Sequence, residues 1–360
     1  MKINKKIVVG TFVDLLKINL SLNQEKKISV YIKRYLKQIG ILAKSDKHGN
    51  LIAQVFGVGE PLLLSANMGT FKFDSDLRLV FKKDTIKTNG VAILGINDKS
   101  GITSVLEALK YIKKNKIKTR PLEIIFISKK GDGSKGIFNL NYKQIKSKEG
   151  LVLNSDGLGE IIIAAPFCYS MDISIKGKAT NFGINPEDSI NALYIASEII
   201  TELKLGRINK FTTNNIGILR AGTAVNVVPG LVELKAEARS IKLHEAQTQV
   251  DIFNKVFKKY VRKHKAKLKF KSKLEISGYK YDKRDSFIRS IVRSNKNLNI
   301  KSVFKQSGEI SSASIFAEKK MKIINISCGG KNPYSMKESI RGSELLKVTE
   351  FLVDFLTSIK

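Results

Sequence analysis

Apolar positions follow two different patterns along the chain. The segment from Ser21 to Gly40 repeats them at helical spacing, which predicts an amphipathic helix that ends at the glycine. Other segments are short runs of β-branched and apolar residues, several apolar on both faces, as in strands buried between helices. These runs are Leu51–Phe56, Leu62–Ala66, Leu122–Ser128, Leu151–Leu153 and Ile323–Ser327. The alternation of the two patterns predicts a layered α/β domain.

The pattern changes over residues 168–276. Here the predicted order is strand, helix, strand, strand, helix, strand, which is typical of a small two-layer α+β sandwich. The six segments are Met171–Lys176, Ser189–Leu203, Asn215–Leu219, Leu231–Ala238, His244–Tyr260 and Lys265–Phe270. Because the α/β pattern resumes afterwards, we predict one domain made of residues 1–167 and 277–360, with residues 168–276 inserted into it.

The composition excludes several classes of protein. With 360 residues, 42% hydrophobic and 27% charged, the chain is not a disordered tail. Its two cysteines, Cys168 and Cys328, are too few for a disulfide-stapled secreted module, so we expect packed thiols in a reducing cytosol. No stretch approaches the roughly 20 apolar residues of a membrane span. We therefore expect a cytoplasmic protein with no membrane partner.

The net charge of +32 arises from 64 Lys and Arg against 32 Asp and Glu. Lysines are scattered along the whole chain, which a general compositional bias explains without any basic-surface function. The densest alternation contains Lys265, Lys267, Lys269 and Lys271, with apolar residues between them. On a strand it predicts a row of ammonium groups on one face. Two interpretations stay open: protection of a sheet edge, and binding of nucleic acid or another acidic partner.

Six segments, in order and spacing, resemble one known family. They are Asn50–Ala53, Pro61–Ala66, Ile93–Gly101, Ile175–Ala179, Gly222–Pro229 and Ala236–Ser240. Together they are similar to the peptidase T-like branch of the two-zinc exopeptidases, which also include aminoacylase, carboxypeptidases and succinyl-diaminopimelate desuccinylase. The resemblance covers nearly the whole chain. It implies a zinc-peptidase-like α/β/α domain carrying an inserted ferredoxin-like lid, and a homodimer formed through that lid.

The resemblance also locates the metal site of the family. Its members hold two zinc ions with two histidines and three carboxylates, while a further glutamate acts as the general base. In this chain the base position falls on Lys130, an ammonium group that cannot accept a proton from water. The metal-ligand positions fall on Asn67, Asn97, Gly131, Asn154 and Tyr334. Amides and a phenol are poor zinc ligands, so we expect no zinc and no other cofactor.

This reading predicts a pseudoenzyme, kept as a binding, scaffold or regulatory protein. One alternative is an active metal-dependent peptidase or amidohydrolase with a metal site of unfamiliar composition. A second alternative is a basic module that binds RNA or ribosomes. An oxygen-only site formed by Asp98, Asp132 and Asp156 could also attract Mg²⁺ or Ca²⁺.

Three positions of the inserted domain bear on ligand binding. The family histidine that stabilises the oxyanion corresponds to Asn181. Asn226 and Arg239 stand where family members hold the backbone or carboxylate of the substrate, so a peptide or small carboxylate is a candidate ligand. The structural alternative is that Asn226 fixes a turn before Pro229 and that Arg239 forms an ion pair.

Overall fold

The computed structural model describes residues 3–19, 24–69, 78–91, 93, 95–128, 135–333 and 335–358. The chain divides into two compact units. The first contains Met1–Ile163, Tyr281–Gln306 and Ser311–Lys360, and the second contains Ala164–Lys280 and Ser307–Ile310. The second unit therefore interrupts the first along the sequence.

The helices of the described residues are distributed over the whole chain. In chain order they are α1 Lys5–Asn19, α2 Gln24–Gln38, α3 Ile96–Lys114, α4 Lys135–Phe138, α5 Ala192–Glu202, α6 Leu243–Lys263, α7 Ser286–Asn297, α8 Ser312–Glu318 and α9 Gly342–Ser358. Helix α2 buries Ile28, Ile32 and Leu36 on one side, as the spacing of apolar residues predicts. Its predicted start at Ser21 lies outside the described residues.

The strands of the described residues fall into three sheets. In chain order they are β1 Ala43–Ser45, β2 Leu51–Val55, β3 Leu62–Asn67, β4 Leu79–Lys82, β5 Thr85–Thr88, β6 Leu122–Ile127, β7 Glu149–Ser155, β8 Glu160–Ala165, β9 Phe167–Lys176, β10 Gly206–Arg207, β11 Thr212–Ala221, β12 Leu231–Ser240, β13 Lys267–Ile276, β14 Tyr279–Lys280, β15 Val303–Gln306, β16 Lys322–Ser327, β17 Gly330–Lys331 and β18 Ser339–Arg341.

The first unit is built on a mixed sheet with the strand order β1-β2-β6-β3-β7-β16-β8. Strands β6, β3, β7 and β16 are parallel to one another. Strands β2 and β8 run antiparallel to their neighbours. Every residue of β3 and β6 is buried, which is the pattern that the uninterrupted apolar runs predict. The predicted α/β class is confirmed.

A smaller sheet in the first unit was not predicted from the sequence. It has the strand order β17-β18-β5-β4, and all its pairings are antiparallel. Its four strands are two to four residues long, and β18 pairs with a strand about 250 positions earlier in the chain. Strands this short carry almost no periodic signal of their own.

The second unit is an antiparallel sheet with the order β10-β11-β12-β9-β13, and α5 and α6 pack on it. Its core includes Ile173, Ile195, Leu234, Phe253 and Phe257, all at most 3% exposed. Strands β9, β11, β12 and β13 with the two helices give the predicted β-α-β-β-α-β order, so the inserted α+β sandwich is confirmed.

All six predicted segments of this unit have boundaries that differ from the structure, by up to six residues, and the start of β13 is the one that affects the candidate basic surface. Strand β13 begins at Lys267, two residues later than expected. Lys265 has a positive φ of 53° and lies in the turn that follows α6. Lys265 is therefore not part of the strand.

None of the helices in the described part of the chain is long and apolar enough to cross a lipid bilayer.

Candidate functional site

Several polar residues meet in the first unit where its parallel strands end. Asn67 is the last residue of β3, Asn154 lies one residue before the end of β7, and Cys328 directly follows β16. In parallel sheets such carboxyl ends are where ligands usually bind, because the connections leave a crevice there. The first turn of α3 adds Asn97 to the same place, as its contact with the segment after β7 shows.

The start of α3 is buried to an unusual degree. Asn97 is 4% exposed, Asp98 2% and Lys99 0%. The carboxylate of Glu338, itself buried, accepts a hydrogen bond of 3.1 Å from the backbone N–H of Ile96. A carboxylate at this position satisfies a free N–H group and opposes the positive end of the helix dipole. The helix is thereby held with its polar first turn inside the protein.

The side-chain amide of Asn97 donates a hydrogen bond of 2.8 Å to Oδ1 of Asp156. The carbonyl oxygen of this amide, Oδ1, is buried and has no hydrogen-bond partner among the described residues. The opposite amide orientation would turn this oxygen towards the Asp156 carboxylate and would be repulsive. Asn97 therefore acts as a neutral donor to a carboxylate.

Beside the Asn97–Asp156 pair, two glycine-containing segments are joined by two backbone hydrogen bonds. The N–H of Gly157 donates to the carbonyl of Gly330 at 2.7 Å, and the N–H of Gly329 donates back to the carbonyl of Gly157 at 2.8 Å. A β-carbon on Gly330 would lie 1.9 Å from Oδ1 of Asn97. The position of the Asn97 side-chain oxygen thus leaves no room for a β-carbon at position 330.

Lys99 is fully buried in the same helix turn. Its ammonium group donates to the carbonyl oxygen of Gly69, two residues after β3. A buried ammonium group must be hydrogen-bonded or paired to offset the loss of its hydration. The site therefore contains a buried, hydrogen-bonded lysine one residue after Asp98.

The other two amides at this end of the sheet have different surroundings. Oδ1 of Asn67 accepts a hydrogen bond of 3.1 Å from the hydroxyl of Ser312, in the first turn of α8. Oδ1 of Asn154 is buried and has no hydrogen-bond partner among the described residues. Asn67 thus links β3 to α8 through its side chain.

Cys328 lies fully buried next to these groups, and its thiol donates to the carbonyl of Ser155 at 3.0 Å. Burial raises the pKa of the Cys328 thiol to about 12, and the nearby carboxylates of Asp98 and Asp156 act in the same direction. The group is therefore a neutral thiol at physiological pH, unsuited to nucleophilic attack or to binding zinc as a thiolate. The sequence predicted a packed thiol but not its place at this site.

The donors described at this site do not fit two zinc ions. Over the described ranges, no three His, Cys, Asp or Glu side chains come together in a way that could hold a metal ion. The Asn97 amide presents N–H rather than a lone pair to Asp156. Lys130, Gly131, Asp132 and Tyr334, the remaining positions inferred from the sequence, lie outside the described residues.

In the second unit, Asn181 and Asn226 lie on two adjacent loops. The residue after Asn181, Phe182, donates its N–H to the carbonyl of Asn226 at 3.2 Å. Asn181 pairs with Val227 in an isolated β-bridge, and its Oδ1 accepts from the N–H of Gly183 at 3.0 Å. Both asparagine side chains are exposed. The structure thus brings together two positions that the sequence analysis singled out separately.

Arg239 is already paired within the second unit. Its Nε donates to the carboxylate of Glu237, and Nη1 is 3.4 Å from the carbonyl of Gly308. Buried Cys168 lies beside this pair, and burial, with Glu237, raises the pKa of its thiol to about 12. A carboxylate ligand would have to compete with Glu237 for the guanidinium group. The arrangement favours the structural interpretation of Arg239.

The lysines that the sequence singled out as a basic surface lie partly in a turn and partly on a strand. Lys265 lies in the turn after α6, whereas Lys267, Lys269 and Lys271 are exposed on alternate positions of β13. Leu268 and Phe270, between them, pack against the core of this unit. The predicted row of ammonium groups on one face is therefore present from Lys267 onwards.

The chain is similar to a known domain family, to curated proteins and to solved structures. Residues 169–267 match the model of the peptidase dimerisation domain. The uncharacterized protein YqjE of Bacillus subtilis (strain 168) is 28% identical over 362 residues, covering 98% of each chain. Peptidase T of Fusobacterium nucleatum is 25% identical over 78% of this chain and 69% of its own. The crystal structure of aminopeptidase PepT from Bacillus cereus superimposes with a TM-score of 0.84 at 26% identity, covering 99% of this chain and 98% of that one.

Proposed function

We propose that this chain, a relative of the peptidase T-like branch of the two-zinc exopeptidases, has no catalytic two-zinc site and acts as a binding, scaffold or regulatory protein. The chain keeps the fold of aminopeptidase PepT over almost its entire length. Near the carboxyl ends of its strands, however, Asn97 donates to Asp156 and Asn67 accepts from Ser312. The described residues bring no three metal-ligating side chains together there. A retained fold with altered chemistry is characteristic of a protein whose function is binding.

The contact between Asn97 and Asp156 carries this proposal. A carboxylate at position 97 would need the positive charge of two bound cations to offset its repulsion from Asp156. The amide found there supports Asp156 by donating an N–H group, and it needs no cation to do so. Two carboxylates at this distance, one buried and one partly buried, would repel each other without metal. The pair is therefore matched to a metal-free protein.

Dimer formation is part of the proposal. The match of residues 169–267 to the peptidase dimerisation domain supports a homodimer formed through the second unit. The candidate ligand is a peptide or small carboxylate. Asn226 is exposed and accessible to such a ligand, whereas Arg239 would first have to leave Glu237.

Metal content and turnover test the proposal directly. The purified protein is expected to contain much less than one zinc ion per chain and to leave tripeptides and acyl-amino acids uncleaved, even after addition of Zn²⁺, Mn²⁺ or Co²⁺. Two tightly bound metal ions per chain, with cleavage that a chelator abolishes, would instead establish the alternative of an active metal-dependent hydrolase. That enzyme would need ligands beyond those of the described residues.

A further inference from the structure

Strand β13 forms one end of the sheet in the second unit and carries lysines at alternate positions. Lys267, Lys269, Lys271 and Lys273 are all exposed, while Leu268 and Phe270, between the first three of them, pack against the core of this unit. Successive side chains on one face of a strand are about 6.8 Å apart. The strand therefore presents a regular row of positive charges.

The charges in the middle of the sheet compensate one another, but those of Lys267 and Lys269 on β13 do not. Lys235 lies opposite Asp172 in register, with Nζ 3.3 Å from Oδ1, and Arg220 lies opposite Glu233. Lys267, by contrast, lies opposite Lys176, a like-charge pair that costs stability.

The unpaired cations are concentrated at the β13 end of the sheet. Among the residues that the structure describes, Lys176, Lys267, Lys269 and Lys271 form no salt bridge. Lys271 lies opposite Asp172 in register, but that carboxylate pairs with Lys235, and Lys273 pairs with Glu275 at 2.8 Å. The excess positive charge therefore lies along β13 and is not spread over the whole face of the sheet.

The same strand offers backbone hydrogen bonds. β13 pairs with β9 on one side and is the last strand in the order of its sheet. The N–H and C=O groups on the other side of such a strand can pair with an additional strand. Edge lysines prevent pairing with basic or apolar strands, but they attract a strand of opposite charge.

We propose that β13 is the docking strand for an extended acidic segment of a protein partner, with Asp or Glu at alternate positions. The segment adds to the sheet beside β13, so that its backbone pairs with the open edge and its carboxylates lie opposite the lysine row. The acidic side chains of an extended segment repeat at the same spacing as these lysines, which fixes the register. The proposal does not depend on whether the residues around Asn97 retain any chemistry.

A single-stranded nucleic acid fits this surface less well. Such ligands are held by aromatic side chains on which bases stack, in addition to basic groups. The exposed residues of β13 are lysines, Ser272 and Glu275, and its one aromatic residue, Phe270, packs towards the core. RNA is therefore a competitor to be measured, not the expected ligand.

Fluorescence anisotropy with labelled peptides tests the proposal on the full chain. The probe is a peptide of about eight residues that alternates glutamate and threonine, a usual strand length. A control peptide has the same composition with its glutamates in one block. The alternating peptide is expected to bind at least about tenfold more tightly, and N-methylation of alternate backbone amides is expected to abolish binding because it removes pairing with the edge.

Matched charge reversals locate the binding site. Lys267→Glu, Lys269→Glu and Lys271→Glu together are expected to weaken binding at least about tenfold. The control Lys26→Glu, Lys27→Glu and Lys37→Glu changes the net charge equally on exposed positions of α2 and is expected to change affinity less than about twofold. Equal binding of the block peptide, unaltered binding after N-methylation, or tighter binding of an RNA oligonucleotide of equal charge would overturn the proposal.

Discussion

Gly330 and Asn97 touch across the start of α3 so closely that no side chain can be accommodated between them. A β-carbon on Gly330 would stand 1.9 Å from the Asn97 carbonyl oxygen. The amide cannot simply turn away, because its nitrogen is engaged with Asp156 and the residue is 4% exposed. The glycine, the amide and the carboxylate therefore constrain one another.

Gly330→Ala is expected to destabilise the protein by about 1 to 3 kcal/mol, the usual cost of overpacking. Gly330 does not have a positive φ, so the loss arises from the contact rather than from backbone strain. Chemical denaturation measures it. In an Asn97→Ala background the same change should cost clearly less, because the obstructing oxygen is gone. Gly10→Ala, in open space on α1, is the control and should stabilise by about 0.5 to 1 kcal/mol.

Asn97→Asp is expected to make stability depend on pH. It places a second carboxyl group against Asp156, which raises the pKa of the introduced group in the folded state above its unfolded value. The stability of the variant is then fully present at low pH and is lost as the pH rises through that raised pKa. We expect a deficit of about 3 kcal/mol at pH 7 that shrinks below about pH 5.

Thermal unfolding from pH 4 to pH 8 measures this effect. Asn97→Ala is the control, since it removes the same hydrogen bond without adding a charge, and its deficit should vary much less with pH. Added Zn²⁺ should not rescue Asn97→Asp, because position 67 remains an amide. A variant as stable as the parent at pH 8, or one restored by Zn²⁺, would contradict the proposed loss of the metal site.

Both cysteine thiols are expected to be unreactive in the native protein. Cys328 is 0% exposed and Cys168 is 3% exposed, and burial raises the pKa of each thiol to about 12. A disulfide reagent at pH 8 should therefore label neither until denaturant is added, after which both react. Cys168→Ser and Cys328→Ser assign the signals. Fast labelling of Cys328 without unfolding would mean that the site opens to solvent.

Glu237→Gln is expected to release Arg239 for a ligand. Succinate or a short peptide should then bind roughly tenfold more tightly than to the parent chain, because a charged competitor for the guanidinium has gone. Thermal shift or calorimetry measures the change. Adding Arg239→Ala should remove the gain, and Glu233→Gln, an exposed change on the same strand, should leave affinity unaltered. Unchanged binding by Glu237→Gln would show that Arg239 has no ligand role.

Much of the fold is predictable from local pattern. The strands of the large sheet and the order of elements in the second unit follow from runs of apolar residues and changes of period, since burial imposes those patterns. The sheet of β4, β5, β17 and β18 could not be predicted, because its strands are too short to show a period. Strand β13 starts late because Lys265 has a left-handed backbone conformation in the preceding turn. A lysine in the sequence gives no indication of such a conformation.

The site was predictable as a set of positions but not as a set of contacts. Resemblance to a known family placed Asn67, Asn97 and Asn154 at former ligand positions. Nothing in the sequence indicated that Asn97 would bind Asp156 or that Asn67 would bind Ser312, since these partners are 59 and 245 residues away. The adjacent glycines at 329 and 330 were a usable signal of close backbone approach that sequence analysis did not exploit.

The position of β16 determines the order in which the chain can fold as it is made. This strand lies between β7 and β8, yet it is synthesised only after the whole of Ala164–Lys280. The inserted unit can therefore close early, while a nascent chain that ends before Lys322 leaves the edges of β7 and β8 bare. In ribosome-bound chains of that length, we expect the inserted unit to resist protease and the segments around it to be cleaved.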